Sequence, residues 1–206
     1  MKYQELFTPV KVGSITIKNR FAMAPMGPLG LADANGGWNQ RGIDYYVERA
    51  KGGTGLIITG VTFFDQVVEK QDPSTVPNPL YKPVSFVKTS CEMTERVHAY
   101  GSKIFLQLSG GFGREEIQAI VRQFGEAAYH AKRAGFDGVQ IHAVHEGYLM
   151  DQFAISMFNQ RTDEYGGPLE NRLRFARETV EEIKKRCGED FPVTLRFSVK
   201  SMIKDW

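Results

Sequence analysis

Gln140-Ile-His-Ala-Val-His-Glu-Gly-Tyr-Leu-Met-Asp-Gln-Phe153 decides how this chain is read. A short apolar strand, 138–141, runs straight into two histidines, a glutamate and a tyrosine. Parallel α/β folds place their chemistry at such a point: the buried strand tip fixes the backbone, and the loop after it aims side chains into a common pocket.

Towards the N-terminus, 115–134 predicts a helix. Its stripe is Ile117, Val121, Phe124, Ala128 and Ala131, and Gly135 caps it. Before it, 103–108 reads as a strand and 85–100 as a helix facing inward with Val87, Cys91, Thr94 and Val97 or His98. The run 55–61 is another buried strand. A helix over 40–51 presents Ile43, Val47 and Ala50 and stops at Gly52-Gly53. Phe21-Ala-Met-Ala-Pro-Met26 is a continuous apolar run, expected as a buried strand ended by proline. Residues 14–17 alternate polar and apolar and suggest a hairpin plugging one end of the sheet. Towards the C-terminus, Leu169, Leu173, Ala176, Val180, Ile183 and Cys187 mark one helical stripe, and 191–198 is the last strand.

Strands thus alternate with helices, which argues for a parallel sheet. Five buried strands without a Rossmann glycine fingerprint favour a TIM (β/α)8 barrel. Such a barrel usually needs about 250 residues, and this chain has 206. The expectation is one domain over 1–206, an N-terminal hairpin and the first five barrel strands, incomplete at the C-terminus. Two sheet edges would then lie open, which invites association with a second copy or a partner.

Composition excludes several classes. A net charge of +2 gives no field to hold nucleic acid or an anionic membrane. No apolar run approaches the ~20 residues of a membrane span, and no signal region opens the chain. Two distant cysteines, Cys91 and Cys187, form no framework, so a cytoplasmic location is expected. The two histidines have a plain reading as hydrogen-bonded loop or core residues, and with Glu146 they offer ligand types that zinc accepts. The spacing is not that of a metal-binding helix, so no metal is expected. Arg196 on an apolar strand needs a partner wherever it lies. Trp38, Tyr45 and Tyr46 are candidates for lining the pocket, Tyr46 equally for helix packing. Arg161, Asp163 and Glu164 read as a structural network.

Several motifs together resemble the old yellow enzyme family: Ala24-Pro25-Met26, Gln107 in Phe-Leu-Gln-Leu, His142-x-x-His145, Gly147-Tyr148-Leu149, Gln152-Phe153 and Asn159-x-Arg161-Thr-Asp-Glu-Tyr-Gly-Gly167. The last run, followed by Leu-Glu-Asn-Arg-x-Arg-Phe, is the most specific. The resemblance spans residues 6–198, and His-Glu-Gly-Tyr is most similar to the branch of 2,4-dienoyl-CoA reductase-like and bile-acid-converting enzymes. It implies an FMN-dependent oxidoreductase on a (β/α)8 barrel, with NADH or NADPH as reductant and an enone or enoyl thioester as substrate. It further implies that His142 and His145 bind the substrate carbonyl and that Tyr148 donates a proton. Gln107 and Arg196 would meet the flavin's pyrimidine edge, with Ala24, Pro25, Met26, Gly27 and Gly60 beside its ring.

Three departures stand out. Gly27 sits where the family often has Thr or Cys. Glu146 is inserted before Gly147, which moves Tyr148 along by one residue and makes Glu146 a rival donor. The helix follows Arg114 at once, where the family has a further loop, so residues are expected to be missing between 114 and 115. The rival functional reading is a catalytically silent partial barrel that acts only by assembly with itself or a partner.

Overall fold

The computed structural model describes residues 3–27, 29–64, 75–110, 117–145 and 148–198. Two antiparallel strands, β1 (Val10–Val12) and β2 (Ile15–Ile17), form the hairpin. Gly13 supplies its turn with a φ of 59°. A five-stranded parallel sheet follows in the order β3 (Ala22–Met23), β4 (Leu56–Phe63), β5 (Lys103–Ser109), β6 (Gly138–Ala143) and β7 (Val193–Phe197). Helices α1 (Gln40–Lys51), α2 (Pro83–His98), α3 (Ile117–Arg133) and α6 (Arg174–Cys187) connect the strands. Short helices α4 (Leu149–Ala154) and α5 (Leu169–Arg172) lie between β6 and α6. The result is a parallel half-barrel.

Strand alternation divides the core in two. Ile57, Ile104, Leu106, Leu108, Val139 and Ile141 point outward and pack on Val47, Phe86, Met93, Phe124, Phe175 and Ile183 of the helices. Leu56, Ile58 and Phe105 point inward at the start of the strands and pack on Ile17, with Val10, Val12 and Ile15 closing over them. The hairpin therefore plugs the N-terminal end of the half-barrel, as its alternation suggests.

That end also carries a polar clasp. The Asp137 carboxylate, just before β6, accepts from His98 Nε2 at 2.7 Å, Lys103 Nζ at 2.8 Å and the Ile104 amide at 2.9 Å. Burial alone would push its pKa up, but these partners outweigh it and leave the pKa below the ordinary aspartate value.

Three expectations need correction. The 21–26 run is not a buried strand: only Ala22 and Met23 pair with β4, and Phe21 and Met26 are 41% and 60% exposed. β3 is the sheet edge among the described residues, so it is paired on one side alone. The inward face of α2 is Phe86, Ser90, Met93, Thr94 and Val97, with Val87 and Cys91 half-buried. The polar Ser90 belongs inside because its hydroxyl accepts from Trp38 Nε1 at 3.0 Å. The 169–187 stripe breaks at Leu173, which stands outside both α5 and α6, and Leu169 and Leu173 stay exposed.

Candidate active site

The C-terminal halves of the strands carry polar side chains on the inward face. Between Ile58 and Val61 the β4–β5 register slips by one residue, a β-bulge at Thr59-Gly60. Thr59 Oγ1 accepts from the Gln107 amide at 3.1 Å. Beyond the bulge Val61 pairs with Gln107, Gln107 with Gln140, and Gln140 with Thr194, which makes one row across the sheet. One step further, His142 pairs with Arg196. Partners in register share a face, so Gln107, Gln140, His142 and Arg196 form one polar patch. Gln107 Nε2 donates to Gln140 Oε1 at 2.8 Å.

The loop after β6 then turns sharply. His145 is the non-glycine residue with positive φ among those described, at 85°, a left-handed conformation that costs about 1 kcal/mol or more. That turn brings His145 Nδ1 to 3.2 Å from His142 Nε2. The Tyr148 ring lies 4.5 Å from the His142 ring and 6.2 Å from that of His145. Phe63, from the end of β4, is near-parallel to Tyr148 at 6.3 Å.

His142 is 4% exposed and its Nδ1 has no hydrogen-bond partner among the described residues. Burial first, then the neighbouring His145 and Arg196, push its pKa down to about 4. It is therefore neutral at physiological pH. Each neutral imidazole carries one N–H. His142 can present its N–H to an oxygen that gains negative charge without carrying a full charge itself.

The 24–27 segment lies against the bulge. A Cβ on Gly60 would meet Met26 O at 2.4 Å and Gly27 Cα at 2.8 Å, so only glycine permits this approach. From below, the Gly60 amide donates to the Tyr46 hydroxyl at 2.9 Å. Pro25 is half-buried, while Ala24, Met26 and Gly27 are exposed. The structure thus gathers the residues singled out in sequence around one inward-facing patch. Trp38 and Tyr46 are packed in the core, yet they also line a narrow cavity with Gly27, Gly60 and Val61, beneath the bulge. Tyr45 stacks under Arg49 at 3.6 Å. Arg161 pairs with Asp163, whose carboxylate also accepts from the Tyr165 amide, as expected of a structural network, while Glu164 contributes its backbone oxygen, which accepts from Arg174 Nε at 2.9 Å. Glu146, the rival proton donor, and the 114/115 junction lie outside the described residues. Among the described residues no three His, Cys, Asp or Glu side chains gather as a metal site, and no helix is long and apolar enough to cross a membrane.

Gln140, Thr59 and Phe63 were not singled out in sequence. A signal for Gln140 existed: it stands two residues before His142, on the same face of the strand.

A parallel half-barrel with its polar groups at the C-terminal strand ends has the layout of an α/β-barrel enzyme. Comparison with known proteins narrows the class. The sequence model of the NADH:flavin oxidoreductase / NADH oxidase family matches residues 5–114 and 110–206, and the chain belongs to that family. Cinnamate reductase of Clostridium sporogenes is 56% identical over 237 aligned positions, covering 100% of this chain and 36% of that protein. The solved 2-naphthoyl-CoA reductase complexed with 2-naphthoyl-CoA superposes with a TM-score of 0.83 and 26% identity, over 94% of this chain and 35% of that one. The old yellow enzyme homologue of Zymomonas mobilis gives 0.81 and 30%, over 98% and 65%. The chain thus spans about a third of the length of cinnamate reductase.

The family is that of old yellow enzyme, with FMN as cofactor and NAD(P)H as reductant. The residues of the patch fit that cofactor. An amide pair and a guanidinium suit a pyrimidine edge that both donates and accepts, and Gly60 leaves room for backbone to form a flat wall.

Proposed function

We propose that this chain carries the flavin-binding and substrate-reducing face of an FMN-dependent ene-reductase acting on an α,β-unsaturated carbonyl compound, an enone or enoyl thioester. FMN, when bound, would supply the redox chemistry of hydride transfer from NADH or NADPH to the electron-poor C=C bond. Gln107 and Arg196 hold the pyrimidine edge, while Ala24, Pro25, Met26, Gly27 and Gly60 form the wall beside the ring. His142 and His145 donate to the substrate carbonyl oxygen and stabilise the charge it gains. Tyr148 delivers the proton to the other alkene carbon. The observation that carries this reading is the register. It sets Gln107 beside Gln140 and His142 beside Arg196, with His145 and Tyr148 folded onto His142. The names of two relatives, cinnamate reductase and 2-naphthoyl-CoA reductase, support the substrate class, since both name aryl-conjugated acyl compounds.

The whole chain is read as a single FMN-binding domain. The family model matches in two stretches that meet at 110–114, and the alignment with cinnamate reductase is longer than the chain. Both support the reading that relatives carry further residues between 114 and 115. Leu195 and Phe197 on β7, a sheet edge among the described residues, are 44% and 66% exposed, which supports association of this edge with a second copy or another barrel segment. Free Cys91 and Cys187 support a cytoplasmic setting.

The test is spectroscopic. Purified chain given FMN should turn yellow, bleach with NADH or NADPH without oxygen, and recover its colour when an unsaturated acid or thioester is added. A chain that assembles in sedimentation yet takes up no FMN would contradict this reading and favour the catalytically silent partial barrel.

A further inference from the structure

We propose that Gln140 is a positioning residue for the cofactor site, one that sets which way the Gln107 amide faces. The inference rests on the FMN reading above. A glutamine amide has two orientations related by a half-turn, which exchange its carbonyl oxygen and its NH2 group. A ligand edge that alternates acceptors with an imide N–H tells those orientations apart.

The structure holds Gln107 in one of them. Its Nε2 donates to Gln140 Oε1 at 2.8 Å, so its own Oε1 is turned away from Gln140. Three features make this arrangement rigid. Gln107 and Gln140 are direct partners in the β5–β6 register, and they are 2% and 8% exposed. The Gln107 backbone amide is tied to Thr59 Oγ1 across the other strand boundary. The outward neighbours Leu106, Leu108, Val139 and Ile141 are fully buried, which pins both strands from behind. In a flipped state two NH2 or two carbonyl groups would face each other inside the sheet, a buried mismatch. Gln140 thus couples the Gln107 amide to its own orientation, since neither can turn without the other, and part of the ordering cost is met in the fold rather than at binding.

The alternation of β6 assigns its two inward side chains different tasks. Gln140 faces sideways to Gln107, whereas His142, one pleat further on, faces the Arg196 strand and the His145 turn. Gln140 acts through Gln107 and is not itself a catalytic residue.

The experiment is an FMN titration by flavin fluorescence quenching on the full chain, with wild type, Gln140→Met, Gln140→Glu, Gln107→Leu and the double variant Gln140→Met/Gln107→Leu. Methionine fills the same volume without an acceptor. Glutamate keeps an acceptor oxygen at the same reach and serves as the rescue. The expected result is about tenfold weaker binding for Gln140→Met, with its bound-flavin absorption maximum shifted. Gln140→Glu should stay within about threefold of wild type, and Gln140→Met should add little in the Gln107→Leu background. Wild-type affinity in Gln140→Met, or an equal loss with and without Gln107, would overturn the inference and leave the FMN reading standing. Wild type that takes up no FMN would overturn both.

Discussion

The two ends of β5 and β6 are made of different chemistry. At the start of the strands Phe105 is closed under the hairpin by Val10, Val12, Ile15 and Ile17, and Asp137 ties the strand ends to α2. Both carboxylate oxygens of Asp137 are met by donors of the fold. At the far end, two to five residues along, the same strands present Gln107, Gln140 and His142. There a left-handed His145 is kept, and the His142 Nδ1 has no partner among the described residues. One end satisfies its own needs, whereas the other leaves hydrogen-bonding capacity and backbone strain for something else. Parallel barrels separate stability from activity along the strand in this way.

Substitutions at each end should separate those two quantities. The largest effect is expected from Asp137→Ala. It leaves Lys103 and the Ile104 amide without their acceptor and should cost about 3 kcal/mol in urea unfolding. Its pH dependence has a fixed sign. The folded pKa of Asp137 lies below 3.8, so the contribution is complete above that value and disappears as pH falls through the lower folded pKa. The wild-type and variant unfolding curves should therefore converge in acid and stay apart at neutral pH.

Gly60→Ala comes next. Its Cβ would press on Met26 O and push the 24–27 segment off the bulge, so FMN affinity should drop by roughly thirtyfold, with a smaller change in stability. Tyr46→Phe removes the acceptor of the Gly60 amide from beneath the same bulge. It should lower stability by about 1–2 kcal/mol in thermal unfolding.

His142→Ala is expected to act only on the carbonyl side. Binding of an enone-type ligand to FMN-loaded protein should weaken about tenfold while FMN stays bound. Because the His142 pKa is pushed down to about 4, wild-type ligand binding should show no titration of this residue between pH 6 and 8. Unchanged ligand affinity in the variant would remove His142 from the carbonyl site.

Much of this was legible in the sequence, for reasons that differ along the chain. Residues 40–51 form α1 with the predicted bounds because Asn39 caps it, its side chain accepting from the Gly42 amide, and a Gly-Gly pair follows it. The His142, His145 and Tyr148 cluster follows from a strand running into a polar loop. The face of α2 was misread by one position because Ser90 looks like a surface residue until Trp38 arrives from a distant segment. The helix α4, Leu149–Ala154, is six residues long, too short to show a helical stripe in the sequence. Gln140 sat in a run read as apolar. What recommends it is its partner Gln107, thirty-three positions away across a strand boundary, which one-dimensional periodicity does not carry. The Thr59-Gly60 bulge depends likewise on register with β5, a property of two strands together.

The most direct measurement is a pair of FMN titrations run beside urea unfolding on Gln107→Leu and Asp137→Asn. The first alters the far end of β5, the second the clasp at its start. The expected result is a crossed one: Gln107→Leu loses at least about tenfold in FMN affinity with its unfolding midpoint nearly unchanged, and Asp137→Asn loses stability while binding FMN like wild type. If both substitutions lower affinity and stability in parallel, or if neither changes FMN binding, the two ends of the strands do not divide the work and the cofactor lies elsewhere.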